Sequence, residues 1–89
     1  MTVPFDLELA WEAQNLSMGR ILTRGGEEVM LIRDVRSEPI ESVKYPISVE
    51  YPILGIKLGD NLNFLSWTPE GVFWKGKEDN NDLLYIEVT

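Results

Sequence analysis

The nine residues Ser66-Trp67-Thr68-Pro69-Glu70-Gly71-Val72-Phe73-Trp74 restrict the fold more than any other stretch of this chain. Two tryptophans and a phenylalanine surround a Pro-Glu-Gly sequence. Aromatic side chains suit the pleated surface of a strand. Proline at the second position of a turn pre-sets φ, and glycine two residues later accepts angles that a Cβ resists. The stretch reads as a β-hairpin, with Leu62–Thr68 and Val72–Lys75 as its limbs. It makes the chain β-rich without naming an activity.

The remainder of the chain continues that pattern after one helix. Residues 4–15 read as the helix, with Pro4 in its first turn and Asp6 and Glu8 near the positive end of the dipole. Leu7, Ala10 and Trp11 fall on one face, with Trp11 as the expected core anchor, and Asn15 is a suitable terminator. Met18–Arg24 and Glu28–Val35 flank Gly25-Gly26, a strong hairpin signal. Val29, Leu31 and Val35 share one parity with Arg33, so the alternation is imperfect. Residues 36–50 read as a loop carrying a short strand at Ile47–Glu50, because Pro39 and Pro46 interrupt any ladder. Ile53–Leu58 reads as a buried strand, Gly59-Asp60-Asn61 as a turn, Glu78–Asp82 as a polar loop and Leu83–Val88 as the last strand. The expected architecture is α+β: a short N-terminal helix packed on a bent antiparallel sheet or small barrel of five or six strands, in a single domain over residues 1–89.

At 89 residues the domain is marginal by size, and with no cysteine it has no disulfide to assist it. Self-association is one further source of stability. The chain carries 8 basic and 15 acidic residues, a net charge of −7, spread evenly along its length. Phosphate-mediated nucleic-acid binding needs clustered Lys and Arg, and anionic membranes repel such a chain. The acidic surface keeps a small protein soluble, and it also suits a basic protein partner. The first ten residues, with Asp6 and Glu8 and no basic segment, do not read as a signal peptide, and no apolar run approaches the ~20 residues of a membrane span. The expected compartment is the cytoplasm.

There is no histidine, which removes the commonest general base and metal ligand. Without cysteine, thiol catalysis and thiolate zinc sites are excluded as well. Ser17, Ser37, Ser42, Ser48 and Ser66 include no Gly-x-Ser-x-Gly elbow, and Gly25-Gly26 lacks the Lys-Ser/Thr of a phosphate loop. The chain therefore reads as a non-enzyme without a cofactor. Glu78, Asp79, Asn80, Asn81 and Asp82 are hard oxygen donors suited to calcium, but the glycine and distal glutamate of a calcium loop are missing. A solvated turn, with Asp82 capping it through its side chain, is the better reading, and no metal is expected.

Two sets of residues remain as binding candidates. Phe73 and Trp74 are adjacent and so face opposite ways on a strand, with Trp74, beside Lys75-Gly76-Lys77, expected on the outside. Trp74, Tyr51 and Tyr85 could stack on a small anionic ligand such as a nucleotide, with Arg20, Arg24, Lys75 and Lys77 meeting its phosphate. Glu38, Glu41, Tyr45 and Glu50, in the 36–50 segment, are candidates for contact with a protein partner.

The chain also contains, in order, Phe5-Asp6-Leu7-Glu8 with Ala10, Thr23-Arg24-Gly25-Gly26 with Val29, Tyr51-Pro52-Ile53-Leu54-Gly55, Ser66-Trp67-Thr68-Pro69-Glu70-Gly71, and Glu78 through Leu83. This succession resembles a family of short, functionally uncharacterised proteins of bacteriophages and prophage-like elements. The chain departs from the family pattern at Gly25, at Glu70 and in the longer 36–50 segment. The resemblance implies a viral or mobile-element origin and action inside a bacterial host cell. It supplies no catalytic residues. The leading expectation is a non-enzymatic phage accessory protein that binds a host protein and blunts a function such as an antiviral defence. A nucleotide-signal sponge and a structural or assembly protein are the alternatives.

Overall fold

The computed structural model describes residues 1–39, 47–59 and 64–89. Its elements in chain order are β1 (Thr2–Pro4), α1 (Leu7–Asn15), β2 (Gly19–Thr23), β3 (Glu28–Asp34), β4 (Ile53–Lys57), β5 (Phe64–Trp67) and β6 (Leu83–Val88). The strands form a six-stranded antiparallel sheet in the order β1-β6-β2-β3-β4-β5. Among the described residues β1 and β5 do not pair with each other, so the bent sheet is open rather than a closed barrel. The α+β expectation of one helix on such a sheet stands.

The helix starts later than its sequence suggests. Thr2–Pro4 is a strand instead, in register with Tyr85–Glu87 of β6. Asp6 takes the N-cap, extended at φ −140°, and its carboxylate accepts the Leu9 N–H at 3.0 Å. That bond satisfies one of the orphan donors of the first turn. Leu7, Ala10 and Ala13 form the buried face of α1, while Trp11 packs against the core from its flank. The two alanines let the helix lie close to the sheet, a position too crowded for an indole.

The core is a single cluster in which Leu7, Ala10 and Ala13 meet Ile21, Val29, Leu31, Ile53, Trp67, Leu83 and Ile86. Trp67 is fully buried, and its indole N–H donates to the Asn81 carbonyl at 2.7 Å. Its seat depends on Gly55 in the neighbouring strand: a Cβ there would stand 2.9 Å from Trp67 Cζ3 and 2.8 Å from the Met30 carbonyl oxygen. Phe73 meets the Trp67 ring edge-on at a centroid distance of 6.5 Å.

The Gly25-Gly26 hairpin joins β2 to β3 as expected, with Ile21 opposite Val29 and Leu22 opposite Glu28. The register between β3 and β4 slips by one residue between Leu31 and Arg33. This bulge explains the imperfect alternation: Val29 and Leu31 point inward and Arg33 outward.

The Pro69 turn forms, but the hairpin expected around it does not. The Gly71 N–H donates to the Thr68 carbonyl at 2.9 Å, and Gly71 takes φ +88°. Beyond Val72, however, the chain departs toward β6. The Gly71 carbonyl accepts the Leu83 N–H, and the Phe73 N–H goes to the Asp82 carboxylate, so Val72–Lys75 is not a strand. The partner of β5 is β4. Nor is Ile47–Glu50 a strand: Ile47 is buried, and Ser48 and Tyr51 close a turn through the Ser48 hydroxyl and the Tyr51 carbonyl.

One side chain completes the sheet. The β2–β3 ladder covers only two residue pairs. Two residues past Val29, the Leu31 N–H donates to the Gln14 Oε1 and the Gln14 amide donates to the Leu31 carbonyl, each at 2.7 Å. The carboxamide of Gln14 thus takes the place of a strand residue where β2 and β3 part. No helix among the described residues is long and apolar enough to cross a membrane.

Candidate functional site

The ligand candidates separate into three places. Arg20 and Tyr85 lie on the outward face of the sheet, where Arg20 is opposite Glu87 and Leu22 is opposite Tyr85. Trp74, Lys75, Lys77 and Tyr51 gather beyond the Pro69 turn. There the Lys75 N–H donates to the Tyr51 hydroxyl at 3.0 Å, and the Lys77 ammonium lies 5.7 Å from the centre of the Trp74 ring. Trp74 is 59% exposed, as its polar neighbours suggested. Arg24 belongs to the β2–β3 turn, where it lines a shallow depression with Lys77, Glu78, Asp79 and Asn80.

The cations of this set are largely occupied. Arg20 donates from Nε to Glu87 at 2.9 Å and lies 3.9 Å from Glu28. Arg24 reaches Asp82 at 3.2 Å and Glu78 at 3.5 Å, and Lys75 lies 3.8 Å from Glu50. Elsewhere Arg33 pairs with Glu38, Arg36 with Asp34 and Lys57 with Glu27. Among the described residues, Lys77 is the basic side chain that meets an aromatic ring instead of a carboxylate. Of the partner candidates, Glu38 and Glu50 are thus engaged within the chain, while Glu41 and Tyr45 lie outside the described residues.

Asp82 is the most organised polar residue and a structural one. Its Oδ1 accepts the Phe73 N–H at 2.9 Å, and its Oδ2 accepts the Asp79 N–H at 3.1 Å and the Arg24 guanidinium at 3.2 Å. Burial pushes its carboxyl up, but the two N–H groups and the guanidinium together hold it below the usual carboxylate range. Asp34 behaves alike: burial raises it, and the guanidinium and N–H of Arg36 bring it lower than an ordinary aspartate. The capping role expected for Asp82 is therefore met, and with it the 71–83 segment is clamped to the sheet. No three carboxylates among the described residues converge as a metal site would need.

The acids left over have a location. Glu8 and Glu12 stand one helical turn apart on the exposed side of α1, and Glu70 is exposed at the tip of the Pro69 turn. Asp6, Glu8 and Glu70 line one depression with Phe5, Leu7, Pro69 and Arg36. Arg36 is the sole base there, and Asp34 already accepts from it at 2.7 Å. Sequence reading missed this grouping, because Glu70 is far along the chain from Glu8. The signal it offered was the Glu-x-x-x-Glu spacing of a helix with no basic residue on it.

Comparison with known proteins finds no matching family model, no matching curated protein and no matching solved structure.

Proposed function

We propose that this chain is a non-enzymatic accessory protein of a phage or mobile element that binds a basic host protein, with an antiviral defence factor as the target class. The observation that carries the reading is the distribution of charge. Nearly every described cation is neutralised within the chain, and the surplus acid of Glu8, Glu12 and Glu70 is displayed on the helix side. Such a surface attracts a positively charged partner over a Debye length and speeds encounter. The family resemblance supplies the viral setting, and the absence of histidine and cysteine favours binding over chemistry.

Native mass spectrometry of the protein, gently purified from the bacterial cell in which it acts, is the first experiment. A basic co-purifying protein is expected. Its affinity falls steeply between about 50 and 500 mM salt and is largely lost when Glu8, Glu12 and Glu70 are changed to glutamine. Salt-insensitive binding, or full binding by the triple variant, removes the reading.

The nucleotide-sponge alternative has one observation in its favour, the exposed Trp74 ring with Lys77 above it. Against it, the depression shared by Lys77 and Arg24 is also lined by Glu78 and Asp79, which repel a phosphate. Calorimetric titration with a nucleotide panel tests it. No heat from any member, at protein concentrations well above micromolar, ends that alternative.

A further inference from the structure

We propose that the cleft where β2 and β3 part binds a primary ammonium carried on an aliphatic stem, the chemistry of a lysine side chain or of a free alkyl diamine. The site shares no residue with the Glu8, Glu12 and Glu70 surface, so this proposal and the host-partner reading can fail separately.

The cleft follows from the register. The Thr23 N–H donates to the Glu27 carbonyl and Ile21 stands opposite Val29, so the next hydrogen-bonded pair of the ladder would join Gly19 to Leu31. That pair does not form, because Gln14 takes both backbone groups of Leu31. On its other side Gly19 is opposite Val88, and the Thr89 N–H donates to the Met18 carbonyl one residue away. The alternation of an antiparallel ladder therefore turns the N–H and carbonyl of Gly19 toward β3 and away from β6. Among the described residues neither group has a partner. The parted strands leave a cavity of about 300 Å³.

The lining sets what the cavity can hold. Ile21, Val29, Met30 and Leu58 supply its apolar wall. Polar groups stand at its two ends. One end has Gly19, Ser17 and Gln14, at the C-terminus of α1, where the partial negative charge of a helix collects. The other has Glu28, three residues before Leu31 on β3 and so about 10 Å along the strand. Arg20 lines the same cavity but is committed elsewhere. Its Nε donates to Glu87 at 2.9 Å, and Nη1 comes no nearer to Glu28 than 3.9 Å, beyond hydrogen-bond distance. Among the described residues the Glu28 carboxylate thus accepts no hydrogen bond. One guanidinium against two carboxylates leaves a net negative charge, on a chain already at −7.

These features select the ligand. An anion meets no uncommitted cation here and is repelled by Glu28. A wholly apolar molecule would bury the Glu28 carboxylate and the Gly19 carbonyl without partners. An ammonium group donates three hydrogen bonds and accepts none, which suits Glu28, and its methylene stem lies along Met30 and Leu58. At the far end Gly19 separates two sources of this chemistry. A lysine residue brings a peptide group that pairs with both the Gly19 N–H and its carbonyl. A diamine brings a second ammonium that uses the carbonyl alone.

NMR titration of the full chain tests the proposal, with cadaverine and Nα-acetyl-lysine N-methylamide as probes at constant ionic strength. Saturable shifts of the Gly19 amide and the Met30 methyl are expected, with a dissociation constant on the order of millimolar. Tighter binding of the lysine derivative identifies a protein side chain as the ligand, and tighter binding of cadaverine a free diamine; either supports the site. The same lysine derivative acetylated at Nζ, which keeps the stem and loses the charge, should not bind. Glu28→Gln should weaken binding by about five-fold or more, and Met30→Ala by about two-fold. An unmoved Trp67 indole N–H signal shows that both variants keep the core. No saturable shift up to about 50 mM of either probe, equal binding of the acetylated derivative, or an unchanged affinity in Glu28→Gln overturns the proposal.

Discussion

The two faces of the sheet are built from the same strands and obey different rules. On the inner face every position is constrained by a neighbour: Trp67 by Gly55, Phe73 and the Asn81 carbonyl, and Leu31 by Gln14. On the outer face Met30, Ile32, Phe64 and Tyr85 have comparable apolar bulk and remain exposed. Hydrophobicity alone therefore does not separate the faces. What separates them is the helix, whose alanines cover one side, and the clamp at Asp82, which holds the 71–83 segment over the end of that side.

The sharpest test of the contrast is Trp67→Ala. Deleting a fully buried indole costs about 3–5 kcal/mol, a large share of the stability of so small a domain. Denaturant titration should find the variant unfolded or nearly so. Asp82→Ala comes next. It leaves the part-buried Phe73 and Asp79 N–H groups without their acceptor, and at about 1–2 kcal/mol for each such group the loss should be about 2–4 kcal/mol.

The same clamp predicts the acid limb of stability. Asp82 and Asp34 are both held below the usual carboxylate value, so near that value, about 3.9, the unfolded chain binds more protons than the folded one. Their contribution is fully present above about pH 5 and is lost as the pH falls through 3.9 toward the lower folded values. Asp82→Asn should flatten the pH dependence of the urea midpoint between about pH 5 and 2, and an unchanged slope would remove Asp82 as its source.

Asp6→Ala should cost about 1 kcal/mol through loss of the N-cap. The smallest effect belongs to the open face: Ile32→Thr in dilute solution should change stability by less than about 0.5 kcal/mol. A loss on the scale of Trp67→Ala would break the comparison, since it would make the outer face a second core.

The sequence signals that proved reliable were local ones. Gly25-Gly26 marks its hairpin because the turn closes on itself, the Gly26 N–H donating to the Thr23 carbonyl, and Trp74 is exposed because its neighbours are polar. Most of the misreadings are cases where distant residues decide, the exception being Ile47–Glu50, where Ser48 and Tyr51 close a local turn. Thr2–Pro4 becomes a strand because Tyr85–Glu87 lies beside it, and nothing in a three-residue segment announces that partner. Val72–Lys75 loses its ladder to Asp82 and Leu83. Trp11 yields the centre of the helix face to Ala10 and Ala13 because the separation of helix and sheet is set by the whole core. The binding candidates suffered the same way: Arg20 and Arg24 read as available cations until folding brings Glu87 and Asp82 to them.

Gln14 carries a consequence for the life of the unfolding chain. Its carboxamide seals the backbone groups of Leu31 at the point where β2 and β3 part. When α1 peels away, it uncovers the apolar core and an unpaired stretch of strand together. That combination is a template for chain-to-chain zippering. The helix is thus a guard against aggregation as well as a lid, and a chain cleaved just after Asn15 would be expected to precipitate rather than persist as a bare sheet.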